Sequence, residues 1–332
     1  TLKINHQKYK FIMTTQVYKY NQHPDVRPIT ITLTDEQTAG HGDHWRILTD
    51  NIENDVPNWL QNSIDDATIA AGLNPALTKD SLPHLLLSCN EMCHINQVLA
   101  MKDGKPQNFI NAFPCVNSPY GLVCKIDRII ANPSTKDAVL RLISEDGSVI
   151  YAFDQMYTVN QPLYRQGQQY FVNFSAWAYA IEPSNKDEVI LVEDPEAIRY
   201  HRAYNDIVAK NNGVIPADLD KQIDQWQADT DEELAPVEIN LGNMCAYLFG
   251  ETLGQEDEAW CQGQVLGKQQ QTLYDRQLTV FDVAILREPD ADPFVVRVAT
   301  PTTESVQKIE VNDYIQANIW LQAAIYHENQ AD

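Results

Sequence analysis

Two aromatic-rich stretches of similar pattern, one near the middle of the chain and one near its end, set the strongest limit on its fold. The first is Tyr164–Ile181, YRQGQQYFVNFSAWAYAI, and the second is Val311–Tyr326, VNDYIQANIWLQAAIY. Both carry aromatic and β-branched residues at the density that is typical of strands. The pair predicts two related β units, each closed by one of these strands.

The similarity of the two stretches extends to individual positions. When Gly167 is set against Asn312, Asn173 falls opposite Asn318, and a tryptophan lies nearby in each stretch. The order of the predicted elements agrees between the two units, which indicates a divergent duplication. Convergent strand chemistry produces the same pattern, so both explanations stay open.

The residues before the first stretch predict a compact set of short strands. Glu145-Asp146-Gly147 separates two apolar runs, and an Asp-Gly pair tolerates the positive φ that tight hairpin turns demand. Four or five short strands with turns between them favour a small antiparallel barrel or sandwich of the oligonucleotide/oligosaccharide-binding (OB-like) type. Asn111–Tyr120 contains two prolines and predicts a linker ahead of this unit.

Between the two β units the pattern changes to helix. Asp194-Pro195 is typical of a helix start, and a second helix is predicted from Pro216 to about Glu233. The predicted fold is therefore mainly β with α+β elements: two small antiparallel β-barrel or sandwich (OB-like) units joined by an acidic helical hairpin, plus an N-terminal α+β region. The predicted divisions are 1–118 for the N-terminal region, 119–183 for the first β unit, 184–238 for the acidic helical insert and 239–332 for the second β unit.

The charge of the chain is large and unevenly placed. The 332 residues carry a formal net charge of −22. Residues 183–332 hold 28 acidic and 10 basic residues, so −18 of that charge lies in this part. Such a field repels phosphate backbones and attracts basic surfaces, although it also serves solubility alone.

The leading functional hypothesis follows from this charge. We expect a non-enzymatic acidic protein that engages a basic protein partner, in the manner of an inhibitor, an antitoxin-like protein, a nucleic-acid mimic or a scaffold. The contact residues predicted for this role lie in two acidic runs: Asp229, Asp231, Glu232, Glu233, Glu256, Asp257 and Glu258.

Binding of single-stranded nucleic acid by the first β unit is one alternative. Binders of this kind combine a basic groove with aromatic rings on which bases stack. The first unit is close to neutral and offers seven residues of these types: Lys125, Arg128, Arg141, Tyr151, Phe153, Arg165 and Trp177. Aromatic residues on strands commonly serve as core, which is the competing interpretation.

A metal-dependent enzyme is the other alternative. His41, Asp43 and His44 lie together on a Gly-containing stretch and supply part of a metal-ligand set. A further ligand would have to come from elsewhere, for example His23 or His84. A solvated surface loop explains the same residues.

The remaining motifs point away from specialised chemistry. The chain has no Gly-rich phosphate loop, nucleophile elbow or dinucleotide fingerprint, so no cofactor is predicted. Its six cysteines fit reduced thiols, because a chain of this length does not need disulfides. No apolar run is long enough to span a membrane and no signal-peptide core is visible, which favours a cytoplasmic protein. The sequence leaves the oligomeric state open.

Overall fold

The computed structural model describes most of the chain and shows a mainly β protein, as predicted. The described residues are 26–34, 44–76, 82–185, 189–212, 214–216, 218–226, 235–240, 242, 244–249, 255–287 and 293–326. Their strands form a ten-stranded sheet, a four-stranded sheet and a two-stranded sheet. Within these residues, no helix combines the length and the apolar character that a membrane crossing requires.

The N-terminal region contributes a short strand, a helix and the four-stranded sheet. Its elements are β1 (Ile29–Thr32), a 3₁₀ turn (His44–Ile47), helix α1 (Ile52–Asp66), β2 (Thr68–Ile69), β3 (His84–Ser88), β4 (Cys93–Lys102) and β5 (Lys105–Val116). Strands β2 to β5 pair in chain order, all antiparallel. The turn between β4 and β5 has positive φ at both Asp103 and Gly104, which matches a tight hairpin.

The predicted linker over Asn111–Tyr120 is wrong for its first half. Strand β5 continues through Pro114 to Val116 and pairs with β4 over this length. The two prolines in the segment suggested a break, but β5 lies at the edge of its sheet, where a residue without an N–H group is tolerated.

The first β unit contains four strands and two short helical turns. They are β6 (Gly121–Asn132), β7 (Asp137–Ser144), β8 (Val149–Asp154), α2 (Tyr157–Asn160), a 3₁₀ turn (Gln161–Leu163) and β9 (Gln169–Pro183). The predicted hairpin at Asp146-Gly147 is confirmed, because β7 and β8 pair antiparallel around it and Gly147 has a φ of 88°.

The insert between the units is built of β10 (Val189–Val192), α3 (Pro195–Lys210), α4 (Leu219–Gln225) and β11 (Val237–Asn240). Strands β10 and β11 pair antiparallel, and the two helices enclose a small core of Ala203, Ile207 and Ile223. Helix α4 is shorter than predicted. It ends at Gln225, because the next residue, Trp226, has extended backbone.

From β13 onward, the second β unit repeats the order of the first, and β12 is an additional strand ahead of it. Its elements are β12 (Ala246–Phe249), β13 (Glu258–Leu273), β14 (Arg276–Leu286), β15 (Phe294–Pro301), α5 (Glu304–Gln307) and β16 (Tyr314–Ala324). In both units two consecutive hairpin pairings are followed by a short helix and then by the long closing strand.

The two closing strands, β9 and β16, pair with each other at the centre of the ten-stranded sheet. They run antiparallel, and Trp177 lies directly opposite Trp320. Strand pairing closes two circuits around them, one through β6, β7, β8, β16 and β9 and the other through β13, β14, β15, β9 and β16. Each circuit therefore uses the closing strand of the other unit as well as its own.

The interstrand registers of the two units correspond. In the first unit Cys124 pairs with Tyr170, and the equivalent residues in the second unit, Gly263 and Ile315, also pair. A bulge interrupts β6 between Ile126 and Arg128, and a bulge interrupts β13 between Val265 and Gly267 at the equivalent place. Gly167 and Asn312, which precede the closing strands, have φ of 75° and 78°.

The central pair of strands has a core on each face. One face joins a single apolar cluster that includes Phe174 on β9 and Leu321 on β16. The other face carries Trp177 and Trp320, which pack with residues of the N-terminal region such as Phe113. The N-terminal sheet is thus attached to the strands that both circuits share.

Candidate functional site

The acidic insert presents a concave surface that carries several charged groups. Helices α3 and α4 pack side by side through their small apolar core. Along one side of this contact runs a groove of about 560 Å³. The residues that line it are Glu196, Arg199, Tyr200, Asp220, Ile223 and Asp224.

The insert uses two of its bases internally. Nη2 of Arg199 donates to the backbone carbonyls of Ile223 at 2.7 Å and of Asp224 at 3.0 Å, which satisfies the end of helix α4. Nζ of Lys210 forms an ion pair with Asp206 at 2.7 Å on the same helix, and this bond holds the pKa of Asp206 below its usual value. Arg199 is thereby held within the insert, whereas Lys210 is paired but largely exposed.

The acids of the insert face outward. Seven carboxylate residues in its described part are exposed: Glu193, Asp194, Glu196, Asp218, Asp220, Asp224 and Glu238. Lys221 is the exposed base on α4. The result is a surface on which negative charge predominates, next to the groove.

The acidic residues predicted as contacts differ in whether the structure describes them and in how exposed they are. Asp229, Asp231, Glu232 and Glu233 lie outside the described residues. Glu256 is exposed, as a binding residue on the surface would be.

Asp257 requires a correction, because its side chain does not reach the surface. Asp257 is fully buried, its Oδ2 accepts a hydrogen bond from Trp320 Nε1 at 2.7 Å, and its carbonyl accepts from the backbone N–H of Leu321. Glu258 is half-buried and accepts from the hydroxyl of Tyr179 at 2.9 Å. Asp257 secures the start of strand β13 and does not belong to a contact surface.

His44 of the predicted metal set lies against the shared strands. Its ring stacks on Trp320 with centroids 3.7 Å apart, and its Nδ1 is 2.6 Å from the hydroxyl of Tyr179. His41 and Asp43 lie outside the described residues, as does His23, while His84 is on β3. Among the described residues, no three His, Cys, Asp or Glu side chains converge in a way that could hold a metal ion.

The predicted nucleic-acid set is not assembled as one surface. Phe153 and Trp177 are core residues, with 4% and 0% of their surface exposed, and neither presents a ring on which a base could stack. This corrects the prediction for both. Strand propensity favours aromatics equally for the core and for an exposed face, so the sequence did not distinguish the two.

The remaining members of that set are mostly engaged elsewhere. Arg141 donates to the hydroxyl of Tyr151 at 3.1 Å and pairs with Asp127. Arg165 donates to two backbone carbonyls near its own turn. Lys125 and Arg128 are the two exposed bases of the set, both on β6, and Arg128 also approaches Asp127 at 3.4 Å.

The second unit contains a buried ion pair that the sequence did not predict. Nε of Arg297 on β15 donates to Asp282 on β14 at 2.8 Å, and the hydroxyl of Tyr120 donates to the same carboxylate at 2.9 Å. The guanidinium lies over the ring of Tyr120 and also donates to the carbonyl of Asn117. Every partner is satisfied, so the arrangement acts as a clamp between the second unit and the segment after β5.

Two other buried titratable groups have strongly shifted pKa values. Burial raises the pKa of Asp154, at the end of β8, to about 7, even though the hydroxyl of Tyr164 and the N–H of Met156 donate to it. Burial lowers the pKa of His94 on β4 to about 4. Its Nδ1 lies 3.0 Å from the carbonyl of Glu91, which only accepts, so Nδ1 carries the proton of the neutral ring.

The cysteines are unpaired thiols, as predicted. All six are free of disulfides, and four of them, Cys93, Cys115, Cys124 and Cys261, are buried. Burial raises the pKa of Cys93 to about 12, so it stays a neutral thiol at physiological pH.

No family model, no curated protein and no solved structure matches this chain.

Proposed function

We propose that this chain is a non-enzymatic acidic binding protein that engages a basic protein surface through the insert and the acidic part of the chain around it. The observation that carries the proposal is the arrangement of charge on the insert. Seven carboxylates of the insert are exposed, whereas Arg199 is bound by backbone carbonyls and Lys210 is paired with Asp206. Exposed charges of one sign steer a partner of the opposite sign and raise the rate of encounter.

In this proposal the two strand circuits form a scaffold. Each circuit is a small β-barrel of OB-like type, and the pair descends from a duplicated unit. The equivalent bulges in β6 and β13 and the equivalent pairings of Cys124 and Gly263 support this interpretation. The scaffold holds the insert between the two units, and the protein acts in the cytoplasm.

The nucleic-acid alternative receives less support. Phe153 and Trp177 are buried, so two of the three aromatic side chains assigned to base stacking do not reach a ligand. Two exposed bases, Lys125 and Arg128, on a chain with a net charge of −22 would not offset the repulsion of a phosphate backbone.

Affinity capture followed by reconstitution tests the proposed function. The full chain is immobilised and exposed to a lysate of its native cell, and each retained protein is purified and measured against the chain by surface plasmon resonance. We expect at least one partner with a basic isoelectric point, whose association rate falls steeply as salt rises above ~0.15 M.

A matched variant makes the test decisive. In this variant Glu193, Glu196, Asp218 and Asp220 are replaced by Gln or Asn, which removes exposed charge from the insert without touching its core. Retention of the same proteins at the same rates by the variant would contradict the proposal. Partners that are no more basic than the lysate as a whole would contradict it too.

A further inference from the structure

The groove between α3 and α4 combines features that match one particular side chain of a basic partner. Ile223 and Tyr200 both line it; Ile223 is buried, whereas Tyr200 is 52% exposed. Three carboxylates, from Glu196, Asp220 and Asp224, line the same groove and are exposed to solvent. The lining therefore combines an apolar side chain, an exposed aromatic side chain and several hydrogen-bond acceptors.

The charge of the groove is not balanced from within. Within the described part of the chain, none of the three carboxylates forms an ion pair with a basic side chain. Arg199 also lines the groove, but its Nη2 is held by the backbone carbonyls of Ile223, Asp224 and Trp226. Three carboxylates against one guanidinium leave the lining negative, which favours a cationic occupant.

We propose that this groove receives an arginine side chain of the basic partner; the inference rests on the proposed function. A guanidinium is planar, so it stacks on an aromatic face such as that of Tyr200 while its N–H groups donate to carboxylates at the edge. A lysine ammonium is a compact and strongly hydrated charge, so it uses the carboxylates but gains less from the ring. The shape and chemistry of the groove thus favour arginine over lysine.

Fluorescence anisotropy with a defined probe tests the assignment. The probe is an end-blocked, fluorophore-labelled peptide of six arginines, and a peptide of six lysines carries the same charge without the planar group. Both are titrated with the full chain at ~0.15 M salt. We expect the arginine peptide to bind about threefold more tightly than the lysine peptide, because stacking of a cation on an exposed ring gains on this order.

Two variants of equal net charge separate the groove from the general acidity of the surface. The groove variant is Asp220→Asn with Asp224→Asn, and the control is Asp65→Asn with Asp66→Asn at the exposed end of α1. We expect the groove variant to bind the arginine peptide about tenfold more weakly and the control to change by less than about twofold, because screening limits the effect of distant charges. Tyr200→Leu, which changes no charge, should reduce the preference for arginine over lysine.

The outcomes distinguish the groove from the proposed function. Equal weakening by the groove variant and the control overturns the groove as the site, while the acidic surface still binds. An unchanged preference for arginine in Tyr200→Leu also overturns it. No binding of the arginine peptide to the wild-type chain counts against the proposed function itself. Circular dichroism melting of each variant shows whether the insert remains folded.

Discussion

At the scale of single residues, Asp154 makes the stability of the protein depend on pH. Its pKa in the folded state is raised by burial from 3.8 to about 7. The unfolded chain loses this proton at lower pH than the folded chain does, so the stability due to Asp154 is full below pH 4 and declines as pH rises to about 7. The change across this window is about 4 kcal/mol.

Asp154→Asn should therefore remove a destabilising charge at high pH. We expect the variant to be more stable than wild type at about pH 8 and to lose most of this advantage at about pH 5. Asn reproduces the neutral carboxyl group, because its amide oxygen can accept from the N–H of Met156 while its Nδ2 donates to the hydroxyl oxygen of Tyr164. Urea unfolding at both pH values gives the two free energies, and an advantage that is the same at each pH would contradict the prediction.

His94 should make the stability of the protein change with pH in the opposite direction. Its pKa in the folded state is lowered by burial from 6.5 to about 4, so the unfolded chain binds the extra proton first as pH falls. The stability due to the neutral ring is present above about pH 6.5 and is lost as pH falls toward 4. In wild type this rise with pH partly offsets the decline due to Asp154.

His94→Gln should reveal how strongly Asp154 alone makes the free energy of unfolding depend on pH. We expect the free energy of unfolding of this variant to fall more steeply between about pH 4 and pH 6.5 than that of wild type. In Asp154→Asn the slope over the same range should instead turn upward. Acid–urea unfolding curves of the two variants measure both slopes, and slopes that match the wild type in both variants would contradict this assignment.

The Arg297–Asp282 pair is the other residue-scale feature with a clear energetic consequence. Both side chains are close to nine-tenths buried, and Tyr120 shares the carboxylate. Removing one partner leaves the other charge buried, so Arg297→Met or Asp282→Asn alone should cost about 3 kcal/mol or more. The double variant should lose clearly less than the sum of the two. A double-mutant cycle by urea unfolding measures this coupling, and additive losses would show that the pair does not interact.

At the scale of elements, the sequence predicted those features that depend only on the backbone geometry of neighbouring residues, such as tight turns. The Asp146-Gly147 turn was predictable because few residue pairs allow positive φ. Asn173 and Asn318 occupy equivalent places, yet Asn173 is buried and donates to the carbonyl of Ser118, whereas Asn318 is exposed. Their environments differ because the segment after β5 covers one end of the first unit. The residue pattern of the closing strand does not show that another segment will pack over it.

Close approach of strands is another element-scale property that pattern does not reveal. A Cβ atom at Gly263 would lie 2.1 Å from the carbonyl oxygen of Ala284 on the neighbouring strand. Gly263→Ala should therefore separate β13 from β14 and destabilise the protein by about 2 kcal/mol or more. The first unit has Cys124 at the equivalent position, so glycine is a requirement of the second unit alone.

Gly147→Ala is the matched control for this prediction. Gly147 also has restricted geometry, with a φ of 88°, but a Cβ atom there meets nothing within 4 Å. Only the strain of positive φ applies, which costs about 1 kcal/mol. Thermal or urea unfolding compares the two variants, and an equal loss of stability in both would show that the close approach at Gly263 does not matter.

At the scale of the whole molecule, the sequence predicted two units but not how they share strands. The two closing strands were recognisable from their composition, and the prediction assigned one to each unit. In the structure β8 pairs in parallel with β16, and β15 pairs in parallel with β9, so in each unit the strand before the short helix pairs with the closing strand of the other unit. Pairing partners far apart in sequence leave no periodic trace, and strand chemistry alone does not select between them.

This sharing predicts that the two circuits unfold together. Strands β9 and β16 belong to both, and a buried amide network ties them to the N-terminal sheet: Gln155 Nε2 donates to Gln322 Oε1 at 2.8 Å, and Gln322 Nε2 donates to the carbonyl of Pro114 at 2.8 Å. Opening either circuit would break contacts that stabilise the other. The described part of the insert has its own small core of three buried apolar side chains, Ala203, Ile207 and Ile223.

Native-state hydrogen exchange measures this directly. We expect the amides of β7 and β14, which lie in different circuits, to exchange with the same free energy of opening, and the amides of α3 and α4 to exchange faster. Trp320→Leu removes a fully buried ring from β16 and should cost about 3 kcal/mol, because a large cavity opens against the N-terminal region. If the circuits are one cooperative unit, this variant lowers the free energy of opening equally for the amides of β7 and β14 and leaves that of α3 unchanged. A loss confined to one circuit would mean that the shared strands do not couple them.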